Sequence, residues 1–154
     1  MRPRNRRFVA IAAMVALGLM AASQVLARSA TVTRGDFHAF AAGAGLSITG
    51  RAQMVRTADG KTIVTVHLEG LEPNTPYGSH VHKQACADGD ADGHYKFDPA
   101  GPGAPPNEIW PGFTTNAAGT GNGNATVEGT AGAAARSVVV HAPGGLKIAC
   151  ADLE

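Results

Sequence analysis

From Leu46 to Ala151 apolar and polar residues alternate in short runs, and turn-forming residues interrupt every run. Thr62-Ile63-Val64-Thr65-Val66-His67-Leu68 is the plainest case. Its β-branched residues keep the two-residue period of a strand with one buried face. Just ahead of it, Ala58-Asp59-Gly60-Lys61 carries the Asp-Gly hairpin signal, and Ser47 to Val55 supplies the partner strand. No amphipathic helix of useful length appears. Short strands with frequent turns predict an all-β sandwich or barrel.

The remaining elements follow from the same signs. Glu72-Pro73-Asn74-Thr75-Pro76 is a turn, and Tyr77 to His82 is the strand after it. Residues 84–112 form a long loop rich in Gly, Pro and Asp, of a length that compact domains keep for function or tie down. Asn116-Ala117-Ala118-Gly119 reads as a turn and Ala125 to Gly129 as a short strand. Ser137 to His141 is a buried strand, and Lys147 to Ala151 closes the sheet. Residues 28–44 are Ala-rich and weakly patterned, and read as a flexible lead with room for one short strand. The β domain is expected over residues 45–154.

Residues 1–27 read as an export signal: Arg2, Arg4, Arg6 and Arg7, then an apolar stretch from Phe8 to Ala22, then small residues. Val25-Leu26-Ala27 is the expected cleavage site, with Ala30 as a second, and an uncleaved anchor is the alternative. The expectation is a periplasmic or secreted protein with no stable membrane insertion after cleavage. The whole chain has 13 basic and 12 acidic residues. Removing the signal takes four arginines and no acids, so 9 − 12 leaves a formal charge of −3. That argues against nucleic acid or an anionic membrane as partner, since both need a basic patch. Cys86 and Cys150 are the only cysteines. Outside the cytosol such a pair forms a disulfide; a thiolate metal site is the alternative.

Four of the six histidines are candidates for a metal. His80 and His82 are two apart on a strand, so both point to one face. His141 ends the buried strand, while His94 lies in the long loop. Gly70-Leu71-Glu72-Pro73 with Tyr77-Gly78-Ser79-His80-Val81-His82 resembles the copper-ligand strand of the copper/zinc superoxide dismutases. Gly93-His94-Tyr95-Lys96-Phe97-Asp98-Pro99 is similar to the element carrying that family's bridging histidine, with two extra residues. Arg136 to His141 resembles its later copper-ligand strand, and Lys147-Ile148-Ala149-Cys150 its closing segment. The resemblance covers about residues 45–152, in order. It implies a Greek-key β-sandwich with a long metal-site loop, and one copper per chain on His80, His82, His94 and His141. It also implies a Cys86–Cys150 disulfide and superoxide as substrate. Imidazole donors suit both Cu(II) and Cu(I), the two states that dismutation alternates between. His94 would also deliver a proton.

The departures from the family are as informative. Pro106 and Ile109 fall where two zinc ligands belong, and no histidine lies between His94 and His141. Zinc is therefore not expected. The connection from His141 to Lys147 is five residues, Ala142 to Leu146, which removes the charged loop that steers superoxide and leaves the metal open. Lys147 replaces an arginine; it offers charge to an anion but no planar two-pronged donor. Both losses resemble the copper-only branch of the family, where an acidic side chain orients the bridging histidine. Glu108 is the candidate. Asp88-Gly89-Asp90-Ala91-Asp92-Gly93 opens like a calcium loop, but Pro99 stands where the closing glutamate is needed, so it reads as an acidic turn. His38 and His67 receive no role. The sequence thus leaves three readings: a copper superoxide dismutase, a copper carrier that does not turn over, or a structural sandwich that has lost useful metal chemistry. A homodimer is compatible with it, with no interface pattern legible.

Overall fold

The structure, a computed structural model, describes residues 29–154. The export signal expected over 1–27 lies outside the described residues. Nine strands form: β1 Thr31–Asp36, β2 His38–Ala39, β3 Thr49–Arg56, β4 Lys61–Glu69, β5 Pro76–His82, β6 Phe113–Thr114, β7 Gly121–Glu128, β8 Ser137–His141 and β9 Lys147–Asp152. The only helical piece among the described residues is a 3₁₀ turn, Ala41–Gly43. One sheet has the order β1-β3-β4-β7 and the other β2-β9-β8-β5-β6. All pairings are antiparallel. Neighbours β4–β7, β5–β8 and β2–β9 are not consecutive, so the chain returns through the opposite sheet, as in Greek-key connections.

The hairpin read at Asp59-Gly60 is present, with Gly60 at a φ of 90°. In β4, Thr62, Val64, Val66 and Leu68 are buried while Ile63, Thr65 and His67 face outward. Met54, Val64, Leu68, Val81, Val138, Val140 and Ile109 fill the space between the sheets. Burying each such side chain contributes roughly 1.5–3 kcal/mol.

Two expectations need correction. Residues 29–44, the described part of the expected lead, hold more than the one short strand allowed for: β1 pairs with β3 along all six residues, and β2 pairs with β9. The chain end adds two bonds to β1, Arg34 N–H to the Glu154 carbonyl and Glu154 N–H to that of Arg34. β1 carries no apolar alternation because neither of its faces is buried. β7 begins at Gly121, not Ala125. A Cβ at Gly121 would lie 2.2 Å from the Phe113 ring, and one at Gly123 2.0 Å from the Pro111 carbonyl oxygen. These glycines let the β6 segment lie flat on the sheet, a packing need that imitates a loop signal.

β8 is buried along its whole length because both its faces are covered. Val138 and Val140 enter the main core. Val139 faces outward into a small second cluster with Cys86, Ala91, Cys150 and the partly buried Phe40. The Cys86–Cys150 disulfide forms there and ties the long loop to β9.

Candidate metal centre

The outer face of the second sheet, beneath the long loop, collects the chemistry. Across the β5–β8 ladder Gly78 faces His141, His80 faces Val139, and His82 faces Ser137. Strand alternation therefore sets His80, His82 and His141 on one side. His94 arrives from the loop, where the Tyr95 N–H donates to the Val81 carbonyl at 2.8 Å and the Lys83 N–H to that of Gly93 at 3.1 Å. These bonds lay residues 93–95 antiparallel to 81–83, with His94 against His82. One donor nitrogen from each of the four histidines falls within 4.8 Å of the others. Imidazole–metal bonds run about 2.0–2.1 Å, so opposed donors stand about 4 Å apart and the cluster has room for one ion.

The hydrogen bonds decide which nitrogens face inward. Nδ1 of His82 meets the Asp92 carbonyl at 3.0 Å, Nδ1 of His94 meets Glu108 Oε2 at 2.7 Å, and Nδ1 of His141 meets the Gly145 carbonyl at 3.0 Å. All three partners are oxygen acceptors, so each Nδ1 carries the proton and each Nε2 keeps its lone pair. The Nε2 atoms of His82 and His141 then stand 3.4 Å apart with lone pairs opposed. Such a contact is unfavourable until a cation lies between them. His80 differs: its Nδ1 is buried with no hydrogen-bond partner. A buried polar atom without a partner is costly, and a metal ion would satisfy it.

Burial keeps His80, His82 and His141 neutral. Burial, and then the neighbouring histidines, push His80 down to about 3. His82 is likewise held at about 3 by burial first, then by His94, Lys147 and His141, against the Asp92 carbonyl. Burial also lowers His141. For Glu108, burial opposes the charge, but the hydrogen bonds from His94 and Trp110 outweigh it and hold the carboxyl below its ordinary value. Glu108 is only 3 % exposed.

Glu108 is bonded to His94 at 2.7 Å. Lys147 has an engagement that its expected role as a charge for an anion does not include. A bulge in β9 pairs Val140 with Ala149 but His141 with Lys147. Strict alternation from Cys150 would set Ile148 opposite His141; the extra residue brings Lys147 there, and Ile148 joins the core. The Lys147 ammonium donates to the carbonyls of Asp90 and Asp92 at 2.6 and 2.7 Å. It is committed to the loop with one N–H left over. The acidic turn it grips is left-handed at four successive residues, with φ of 59° at Gly89, 53° at Asp90, 64° at Ala91 and 52° at Asp92. L-residues adopt that conformation only at a cost. Lys147 and the Lys83–Asp92 ion pair, at 3.0 Å, hold it in place. Two lysines therefore take up the charge and carbonyls of the turn.

His38 and His67 lie elsewhere, His67 bonded to Asn122 at 2.8 Å on the opposite sheet. Ile109 is a core residue whose carbonyl accepts the Val81 N–H. The Ala142–Leu146 connection is a tight turn, with the Ala142 N–H donating to the Leu146 carbonyl. Leu146 at its end is 60 % exposed. Sequence reasoning missed Trp110, which lies against His80 with ring centroids 5.1 Å apart and donates to Glu108. Its one available sign was its rarity as the single tryptophan, two residues from Glu108. The supporting carbonyls of Asp92 and Gly145 carry no side-chain signature and had none.

No family model matches this sequence, and no characterised protein matches it by sequence. Solved structures do match. A glutamate-to-alanine mutant of Candida albicans superoxide dismutase 5 superposes with a TM-score of 0.56 at 16 % identity, over 82 % of this chain and 90 % of that one. A glutamate-to-glutamine mutant of the same enzyme gives 0.55 at 15 % identity, over 82 % and 92 %. Its Cu(II) form gives 0.54 at 17 %, over 79 % and 90 %. The chain shares the superoxide dismutase β-sandwich fold with these proteins.

Proposed function

We propose that this chain is an exported, copper-binding superoxide dismutase-like protein, with His80, His82, His94 and His141 as ligands to one copper. One observation carries the reading: a nitrogen from each of four histidines lies within 4.8 Å of the others, where three Nδ1–H bonds to oxygen leave Nε2 lone pairs free and the Nδ1 of His80 is buried without a partner. Neutral imidazoles without thiolate or carboxylate donors suit copper. Copper held there would oxidise one superoxide to O₂ and reduce the next, with two protons, to hydrogen peroxide. His82 and His141 are the rigid pair, buried on strands. His94 is more open, and the Glu108 carboxylate holds its Nδ1 proton, so its Nε2, once released from reduced copper, would be the atom that takes a proton from solvent and passes it to substrate. The one uncommitted N–H of Lys147 adds positive charge at the opening and draws in the anion. The disulfide fits a compartment outside the cytosol, periplasmic or beyond.

A copper carrier or buffer on the same fold is the second reading. What favours it is the engagement of Lys147 with the loop, together with the short Ala142–Leu146 connection. One experiment separates the two. Metal-free protein is titrated with copper, and the loaded form is assayed for superoxide decay beside free copper, chelator present in both. One equivalent bound and dismutation far above the control support the enzyme; one equivalent without dismutation supports the carrier. If the His80→Ala/His82→Ala double variant binds copper as wild type does, both readings fail. Tightly held stoichiometric zinc would refute the choice of copper.

A further inference from the structure

The chain's single tryptophan stands at the centre, and none of the chemistry above uses it. Ile109 points into the core, so its neighbours Glu108 and Trp110 turn the other way, toward the histidines. The Trp110 indole N–H donates to Glu108 Oε2 at 2.7 Å, the same oxygen that accepts from His94 Nδ1 at 2.7 Å. Its ring meets that of His80 at a 64° interplanar angle and a centroid distance of 5.1 Å. It does this while 39 % exposed, which is unusual for an aromatic of this size.

Resting on the metal reading above, we propose that Trp110 is a positioning residue of the centre, acting on His94 through Glu108 and on His80 as a wall against water. The carboxylate has a competing attraction: the Lys96 ammonium, which donates to the Gly101 carbonyl at 3.1 Å, lies with Glu108 Oε1 around Gly103, 3.9 and 3.3 Å from where a Cβ there would sit. With His94 as sole donor, Glu108 can rotate toward that lysine or admit water. A second N–H on Oε2 holds the carboxylate plane, and the plane sets the direction of the His94 ring. The indole face also closes the side of His80, whose Nδ1 is shut away with no partner. Groups that support metal ligands in this way typically account for ten- to a hundredfold in metal affinity.

The test uses the full disulfide-bonded protein. In the metal-free form the Trp110 indole N–H resonance should be shifted as for a carboxylate-bound donor, and Glu108→Gln should move it. On copper titration, wild-type tryptophan fluorescence should be quenched in proportion up to one equivalent. Trp110→Phe keeps a ring but loses the N–H; it should weaken copper ten- to a hundredfold against a competing chelator and alter the Cu(II) hyperfine splitting, with the melting temperature held. The Trp110→Phe/Glu108→Gln double variant should lose no more affinity than Glu108→Gln alone, because both lie on one path. Additive losses, or a Trp110→Phe protein with wild-type affinity and spectrum, would overturn the proposal while leaving the copper centre standing. A wild type that binds no copper would overturn the metal reading, and this inference with it.

Discussion

Opening the Cys86–Cys150 bridge should cost this protein a large part of its stability. The bridge spans 64 positions, so it closes a loop of 64 + 1 = 65 residues. Loop-closure entropy for that length comes to about 4 kcal/mol at 25 °C. Both sulfurs are buried beside Ala91, Val139 and Phe40, so alanine is the proper replacement. A serine hydroxyl there would lack a partner and add its own penalty. With a urea dependence of about 2 kcal/mol/M, the Cys86→Ala/Cys150→Ala variant should unfold at roughly 2 M lower urea than wild type. Reduced wild type keeps the sulfur volumes and should account for most of that shift. The bridge also anchors the segment that carries Asp92, whose carbonyl orients His82. Hydrogen exchange over residues 84–94 should therefore quicken more than over β4. A midpoint shift below about 0.5 M with unchanged slope would refute the argument, because it would mean the loop is held as well by its other contacts.

The metal-free protein should weaken as pH falls from about 6.5 toward 5. His82 and His80 are depressed to about 3 when folded, so the unfolded chain binds more protons and stability drops by up to about 1.4 kcal/mol per pH unit for buried His82. Urea midpoints at pH 7, 6 and 5 should fall in order, and a flat profile would refute the neutral cluster. Lys147→Met should release the Asp90–Asp92 turn and weaken copper about tenfold in a chelator competition. Unchanged affinity would reduce Lys147 to a surface charge. Gly123→Ala would set a Cβ 2.0 Å from the Pro111 carbonyl oxygen and should destabilise by about 1–3 kcal/mol by urea unfolding. A neutral result would show that the β6 segment can lift from the sheet.

What the sequence determined by itself was local or periodic. Two-residue alternation gave away β4 and its hairpin, and the spacing of His80 and His82 placed two imidazoles on one face before any contact was known. His141 and Glu108 were legible only through the family resemblance, His141 as the end of the later copper-ligand strand and Glu108 as the acid beside the bridging histidine. The tertiary structure decided everything that depends on two distant segments meeting. β1 became a strand only through β3 and the chain end, since its own residues carry no apolar alternation. Lys147 reaches the metal face only because β9 bulges, and a one-residue shift of that kind leaves no mark in composition. The tautomers of His82 and His141 are set by backbone carbonyls, which every residue has and no sequence distinguishes. Trp110 joined the centre for the same reason: its hydrogen bond to Glu108 exists only once Ile109 is anchored in the core. The donor atoms were written in the chain, but their directions came from packing.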